Sequence, residues 1–220
     1  MRPVLASGLP KPAVDHVLLA TSDLDVASRV LSSRFGLVSI AGGQHPGWGT
    51  ANWIVPVRDA YLELVAVVDG RAAQRSAFGR WVASARAPVL QPMGWAVRPR
   101  SLDAAAERLG LDVDDGSRTT PSGQVLTWRL AGVEAAAVEP LLPFFIEWGA
   151  ETPHPSGSLG AASNDGVEIA RLDLTGRDDR LRNWLDDEVC PITVRTGPPG
   201  VTKVVLSTPG GEVSIDASLR

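Results

Sequence analysis

Three side chains in this sequence stand among neighbours that make their charge or polarity costly. Glu63 lies between Leu62 and Leu64 in the run Ala-Tyr-Leu-Glu-Leu-Val-Ala-Val at 60–67, and Glu147 is flanked by Phe144, Phe145, Ile146 and Trp148. Strand alternation puts Tyr61, Glu63 and Val65 on one face and Leu62, Leu64 and Ala66 on the other. A carboxylate in such company has to be paired, hydrogen-bonded, metal-bound or set in a cavity wall. Two glutamates in corresponding apolar strands point to a pocket that both face; ion pairs with the plentiful arginines are the competing account. His16 lies in Val14–Ala20, apolar apart from Asp15. Such a histidine is either a core residue bonded to its neighbours or a pocket group. A glutamate at a cavity wall is also a candidate general base, so Glu63 and Glu147 are the candidate catalytic residues.

A second tier of residues would wall or rim such a pocket. His45 falls in a glycine-rich loop, Gly42-Gly43-Gln44-His45-Pro46-Gly47-Trp48-Gly49-Thr50, whose spacing is not that of a phosphate-cradling loop. It is either a surface turn histidine or a rim residue. Asn52 opens the next strand and either bonds a ligand or caps the loop. His154 stands between two prolines, where it orders its loop or folds over the pocket mouth. Seven tryptophans accompany a single tyrosine. Trp48, Trp53, Trp128 and Trp148 fall in the same segments as the candidates above, and an aromatic wall suits a flat or amphipathic organic ligand. Trp81 and Trp184 lie on helical stretches and read as core. Arg129 reads as a solvated strand residue and Cys190 as a small buried hydrophobe. No hydrolytic triad is recognisable from residue order, with Ser156 and Ser158 in a Gly-, Ser- and Pro-rich stretch.

The elements that position these residues come as an internal repeat. VDHVLLATSDLDVASRVLSSRFGL from Val14, GWAVRPRSLDAAAERLGL from Gly94 and IARLDLTGRDDRLRNWL from Ile169 each pass from an apolar run through a polar hinge into helical spacing. Ser22 with Asp25 reads as a capping-box variant, and Gly36 and Gly110 stand where helices end. Strands are expected at 37–40, 52–57 and 60–67, at 112–114, 124–130 and 144–148, and at 192–195, 202–207 and 212–215. Each unit therefore reads β-α-β-β-β, giving an α+β fold of tandem βαβββ modules. Two modules pair into a cup-shaped sheet, and a more divergent third extends or covers it. The boundaries expected are a tail at 1–12, module one with a connecting helix near 76–85 at 13–86, module two at 93–150, a connector at 151–166 and the third module at 167–217. Pro88 and Pro92 mark the link between the first two.

Composition narrows the partners. The 220 residues are 44% apolar and carry a net charge of −4, with no polybasic run, so nucleic acid and anionic membrane are excluded as expected partners. No apolar stretch reaches the roughly 20 residues of a spanning helix, and residues 1–12 lack the apolar core of a signal peptide. One cysteine allows neither an internal disulfide nor a thiolate zinc site within one chain. A cytoplasmic protein is expected. Exposed sheet edges make a homodimer the expected assembly.

The opening DHVLLA of the repeat, GGQHPGWGTANWIVPV at 42–57, AYLELVAV at 60–67, and PFFIEWG at 143–149 followed by PHPSG resemble the glyoxalase-like domain family of the vicinal oxygen chelate superfamily. The resemblance runs from about Pro12 to Gly157. It implies a cup whose wall holds a divalent metal, with ligands on the first and last strands of each module: His16, Glu63 and Glu147. Gly94 and Ala170 stand where further first-strand ligands would align and cannot ligate. That donor set suits zinc, nickel, manganese or iron(II). The function implied is a divalent-metal lyase or isomerase acting on a small oxygenated metabolite. A non-catalytic cup that sequesters a drug or metabolite, as in the bleomycin-resistance branch, is the alternative.

Overall fold

A computed structural model describes residues 13–85, 89–120, 123–157, 164–186 and 190–218. The expected tail at 1–12, the linker residue Pro88, and residues 158–163 of the 151–166 connector, Ser158 among them, lie outside the described residues.

The first unit comprises β1 (Ala13–Ala20), α1 (Leu24–Phe35), β2 (Ile40–His45), β3 (Thr50–Val57) and β4 (Ala60–Val67). A turn of helix, α2 (Gly70–Ala73), and α3 (Ala77–Ser84) lead to the second unit: β5 (Gln91–Arg98), α4 (Leu102–Leu109), β6 (Val113–Thr119), β7 (Val125–Ala131), α5 (Val133–Val138) and β8 (Phe144–Trp148). A 3-10 turn at Pro155–Gly157 precedes β9 (Glu168–Thr175), α6 (Asp178–Leu185), β10 (Ile192–Arg195), β11 (Gly200–Thr208) and β12 (Gly211–Asp216). The short helices α2 and α5 have no counterpart in the sequence expectation. Among the described residues no helix is long and apolar enough to cross a membrane.

Eight strands form one curled sheet in the order β2-β3-β4-β1-β5-β8-β7-β6. In each half the first strand runs parallel to the last, and the halves meet where β1 and β5 pair antiparallel. The two ends of the sheet approach each other: an Arg118 Nη1 on β6 donates to the Gly42 carbonyl on β2. This is the cup. The third unit keeps the β-α-β-β-β order but pairs differently, as a separate sheet β10-β9-β11-β12 in which the first strand lies between its second and third.

Helix termini follow local chemistry. Asp23, not Ser22, caps α1, its carboxylate accepting from Val26 N at 2.9 Å. Thr21 occupies the preceding turn, with the Asp23 N–H donating to its hydroxyl at 3.1 Å. Ser101 caps α4, its hydroxyl accepting from the Ala104 N–H at 3.2 Å. Gly36 and Gly110 close the two helices at φ 67° and 65°, a left-handed conformation that other residues enter at a cost.

Both faces of the central strands are buried, which accounts for their nearly continuous apolar runs. On the convex face Val17, Leu19, Leu62, Leu64, Trp95 and Val97 pack with α1, α4 and the third unit, represented by Leu172, Leu174 and Val204 of its sheet and Leu181 and Trp184 of α6. Trp184 Nε1 donates to Pro143 O at 2.8 Å, so α6 seats itself on the loop before β8. The third unit thus covers the sheet and does not extend it. On the concave face Leu18, Val65, Met93 and Ala96 pack with Phe78 and Trp81 of α3. Gly94 is part of this packing. A Cβ there would overlap the Trp81 ring, whose six-membered edge fills the space a first-strand ligand would need. Gly94→Ala is therefore expected to cost about 1–3 kcal/mol by overpacking, measured as a shift in urea midpoint; an unchanged midpoint would show that Trp81 moves freely.

Candidate functional site

The concave face ends in a small cavity of about 30 Å³, space for a couple of water molecules. Its polar wall is built from His16 on β1, Glu63 on β4, Asn52 on β3, His45 at the end of β2, and Arg118 on β6. Tyr61, Trp48, Phe78, Trp128 and Trp148 supply aromatic surface around them.

A bulge in β1 sets the geometry. The β1–β5 register slips between Val14 and His16, leaving Asp15 outside the ladder. A bulge of this kind brings two consecutive side chains towards one side. Asp15 is completely buried, and its Oδ1 accepts from His16 Nδ1 at 2.6 Å. Oδ2 accepts from His154 Nε2 at 2.9 Å and Trp148 Nε1 at 3.1 Å, and forms an ion pair with Arg98 Nε at 3.1 Å. Burial by itself raises a carboxyl pKa. Here the hydrogen bonds from His154 and His16, with the charge attraction of both rings, outweigh it and hold Asp15 well below the usual carboxylate range.

With Nδ1 engaged by Asp15, His16 presents Nε2 to Glu63 Oε2 at 3.5 Å. The ring is held flat by Tyr61, stacked at 4.6 Å between centroids. Burial, then the charges of Asp15 and Glu63, raise the Tyr61 phenol well above its ordinary value, so it stays protonated. The second Glu63 oxygen, Oε1, accepts from Asn52 Nδ2 at 2.7 Å. Asn52 fits because Gly42 on the neighbouring strand has no side chain: a Cβ there would overlap the Asn52 side-chain oxygen Oδ1. Arg118 brings a buried cation to the same cavity; burial lowers its pKa while Glu63 and Tyr61 pull it back up.

His45 Nδ1 lies 3.0 Å from Thr50 Oγ1. Burial lowers its pKa to about 4, with Glu63 opposing and Arg118 assisting. The ring is neutral at pH 7. The unfolded chain, with a histidine pKa of about 6.5, takes up a proton first on acidification. The stability that this neutral ring supplies is complete above about pH 6.5 and is lost as pH falls towards 4. Between pH 7 and 5 the wild-type chain should lose about 2 kcal/mol more than His45→Gln in urea unfolding; parallel losses would sink this reading.

The structure brings His16, Glu63, Asn52, His45, Trp48, Trp128 and Trp148 to one cavity. Glu147 is elsewhere. Phe144, Ile146 and Trp148 of β8 face the cavity, so alternation turns Phe145 and Glu147 to the other side. Glu147 is exposed there and accepts from Arg129 Nε at 2.9 Å, while Arg129 Nη1 donates to Asp103 at 2.9 Å. The strand registers explain the misplacement. Leu18, six residues before α1, stands beside Glu63; Ala96, six residues before α4, stands beside Phe144. The place in module two that corresponds to Glu63 is therefore held by Phe144. Trp53 is likewise turned outward, between the inward Asn52 and Ile54, and packs on the convex core. His154 binds the back of Asp15 and lines an outer groove. His45 belongs to strand β2 and not to a loop. Cys190 is half-buried at the edge of the convex core.

The divalent metal that the resemblance implied finds two of its three donors, His16 and Glu63. Among the described residues no three His, Cys, Asp or Glu side chains converge as a metal would require. Catalytic sites of the zinc type take three protein ligands. Arg118 also places a fixed positive charge in the cavity. The residues present do not fit a metal centre.

Asp15 and Arg118 carry no signal in the strand pattern that marked the other groups. Asp15 is legible only as the residue beside His16; Arg118 is the single buried residue of the polar strand Val113–Thr119, which nothing in the sequence pattern marks.

The sequence profile of the glyoxalase-like domain family matches residues 14–189. No curated relative matches. Among solved structures, a hypothetical protein from Staphylococcus aureus superposes with a TM-score of 0.64 at 15% identity, covering 93% of this chain and 86% of that one. Methylmalonyl-CoA epimerase from Mycobacterium tuberculosis gives 0.44 at 21% identity over 72% and 97% of the two chains. A Streptomyces coelicolor methylmalonyl-CoA epimerase in complex with 2-nitronate-propionyl-CoA gives 0.44 at 17% over 63% and 97%.

Proposed function

Because the chain belongs to the glyoxalase-like domain family, we propose that its cup is a proton-transfer site, a lyase or isomerase acting on a small oxygenated compound. One observation carries this reading: a buried Asp15–His16–Glu63 chain ends at the wall of an aromatic cavity that also holds Arg118.

In this scheme Glu63 takes a proton from a carbon next to a carbonyl or hydroxyl group. A positioned carboxylate contributes about 10²–10⁴-fold in this way. Asn52, donating to Oε1, fixes the carboxylate and leaves Oε2 on the side of His16. His16 returns the proton at the neighbouring atom or exchanges it with Glu63; Asp15 on Nδ1 keeps Nε2 as the reacting nitrogen. Arg118 stabilises the oxyanion that develops as the proton leaves, the role a metal would otherwise serve. The neutral His45 adds polar contact without competing charge. Trp48 and Phe78 border both the cavity and an outer groove of about 610 Å³, so movement of these two rings joins the spaces and admits a ligand larger than water. No step runs through a metal.

The test is deuterium incorporation from D₂O, followed by NMR, across a panel of small 2-oxo and 2-hydroxy compounds with alkyl and aryl substituents. Exchange that Glu63→Gln abolishes supports the reading. Binding of panel members with no exchange favours the sequestering cup. Stoichiometric zinc, nickel, manganese or iron after supplementation, lost in His16→Ala, would overturn the metal-free scheme.

A further inference from the structure

Asp15 carries an imidazole on each oxygen: His16 on Oδ1 inside the cup and His154 on Oδ2 at its outer end. The second ring leads to a hydroxyl. His154 Nδ1 accepts from Ser156 Oγ at 2.7 Å and from the Ser156 backbone N–H at 3.2 Å. Two donors on Nδ1 set the tautomer: the ring proton sits on Nε2 and points at Asp15, and the Nδ1 lone pair points at the serine.

We infer that Ser156, His154 and Asp15 form a second reactive centre, a serine nucleophile with its base and orienting carboxylate, that hydrolyses small carboxylic esters. The roles are those of a nucleophile, a general base within hydrogen-bond reach and a buried acid behind it, which identify such a centre irrespective of chain order. Here the serine meets Nδ1 and the carboxylate meets Nε2. The proposal shares Asp15 with the proton-transfer reading and uses neither Glu63 nor His16.

The surroundings suit the chemistry. Ser156 and His154 are half-buried and Asp15 is fully buried, so the nucleophile is reachable while its anchor is dry. Prolines at 153 and 155 restrict the backbone on both sides of His154, and the Gly157 N–H closes the turn onto the His154 carbonyl at 3.0 Å. His154 lines a groove of about 550 Å³ in which Ile146 and Trp148 offer an apolar wall for an acyl or aryl group. Arg98 and Arg100 line the same groove, as do Asp59 and Glu147.

The steps balance. Ser156 Oγ attacks the ester carbonyl carbon and its proton passes to His154 Nδ1. The bond to the alkoxy group breaks, and the leaving oxygen takes that proton. Water then attacks the acyl-serine, giving one proton to His154, which returns it to Ser156 Oγ. Ester and water become carboxylic acid and alcohol.

The experiment uses the full chain with p-nitrophenyl acetate and a fluorophosphonate probe, followed by peptide mass mapping. The expected result is a single phosphonylated residue, Ser156, with labelling absent and hydrolysis at least 10²-fold slower in both Ser156→Ala and His154→Gln. Ser156→Ala removes one half-exposed hydroxyl, and matching thermal melts will show that the fold is kept. Labelling at another residue, or hydrolysis in Ser156→Ala at more than half the wild-type rate, overturns the proposal. Ser156→Cys provides a second readout: its thiol should react with iodoacetamide faster than Cys190, and a slower reaction counts against activation by His154.

Discussion

Asp15→Ala is expected to lower the unfolding free energy by about 3–5 kcal/mol, the usual penalty for removing one partner of a buried ionic network. The carboxylate is inaccessible to solvent and engages His16, His154, Trp148 and Arg98. Without it, two imidazoles and an indole N–H lose their acceptor and Arg98 loses its counter-charge. Asp15→Asn should be milder, because the amide keeps the volume and one acceptor, though its NH₂ forces one imidazole into the other tautomer. The effect has a pH signature. The folded-state pKa of Asp15 lies below that of the unfolded chain, about 3.9. Its stabilisation is therefore complete above about pH 4 and decays as pH falls towards the folded value. Urea unfolding at pH 7 and pH 3 measures both. A loss under about 1 kcal/mol for Asp15→Ala at pH 7 would mean that the network contributes little.

Glu63→Gln is expected to remove about 10²–10⁴-fold of deuterium exchange on any panel compound the protein turns over, while stability changes by less than about 1 kcal/mol. Glutamine keeps the shape and can still accept from Asn52 through its carbonyl oxygen, but it can no longer take a proton. His16→Gln should fall in the same range. Glu147→Gln is the contrast: its carboxylate lies on the exposed side beside Arg129, where an ion pair contributes at most about 1 kcal/mol, and exchange should be unaffected. If Glu147→Gln abolished exchange and Glu63→Gln did not, the assignment of the two glutamates would be reversed.

That contrast shows how far a sequence carries. Read alone, it determined the β-α-β-β-β order of three units, the glycines that end α1 and α4, and the facing of Tyr61, Glu63 and Val65 together. These are local properties: backbone chirality at a glycine and period-two alternation within one strand. The polar groups of module one were legible as well, because a carboxylate inside an apolar run has few places to go.

The tertiary structure decided the rest. Alternation says which residues of a strand share a face, and is silent on which face looks inward when both are covered. Phe144–Trp148 is such a strand, with Phe145 in the convex core and Ile146 in the concave one, so the inward or outward fate of Glu147 rested on the sheet register. Trp53 went outward for the same reason. Asp15 reached the site through a bulge, an irregularity that no periodic pattern contains. Arg118 is buried in an otherwise polar strand only because the two ends of an eight-stranded sheet curl together and bring β6 against Gly42. His154, with Ser156 on its other nitrogen, met Asp15 across 139 positions of chain. Facing, register and curvature are collective properties of the packed sheet, and the chemistry of this cup depends on all three.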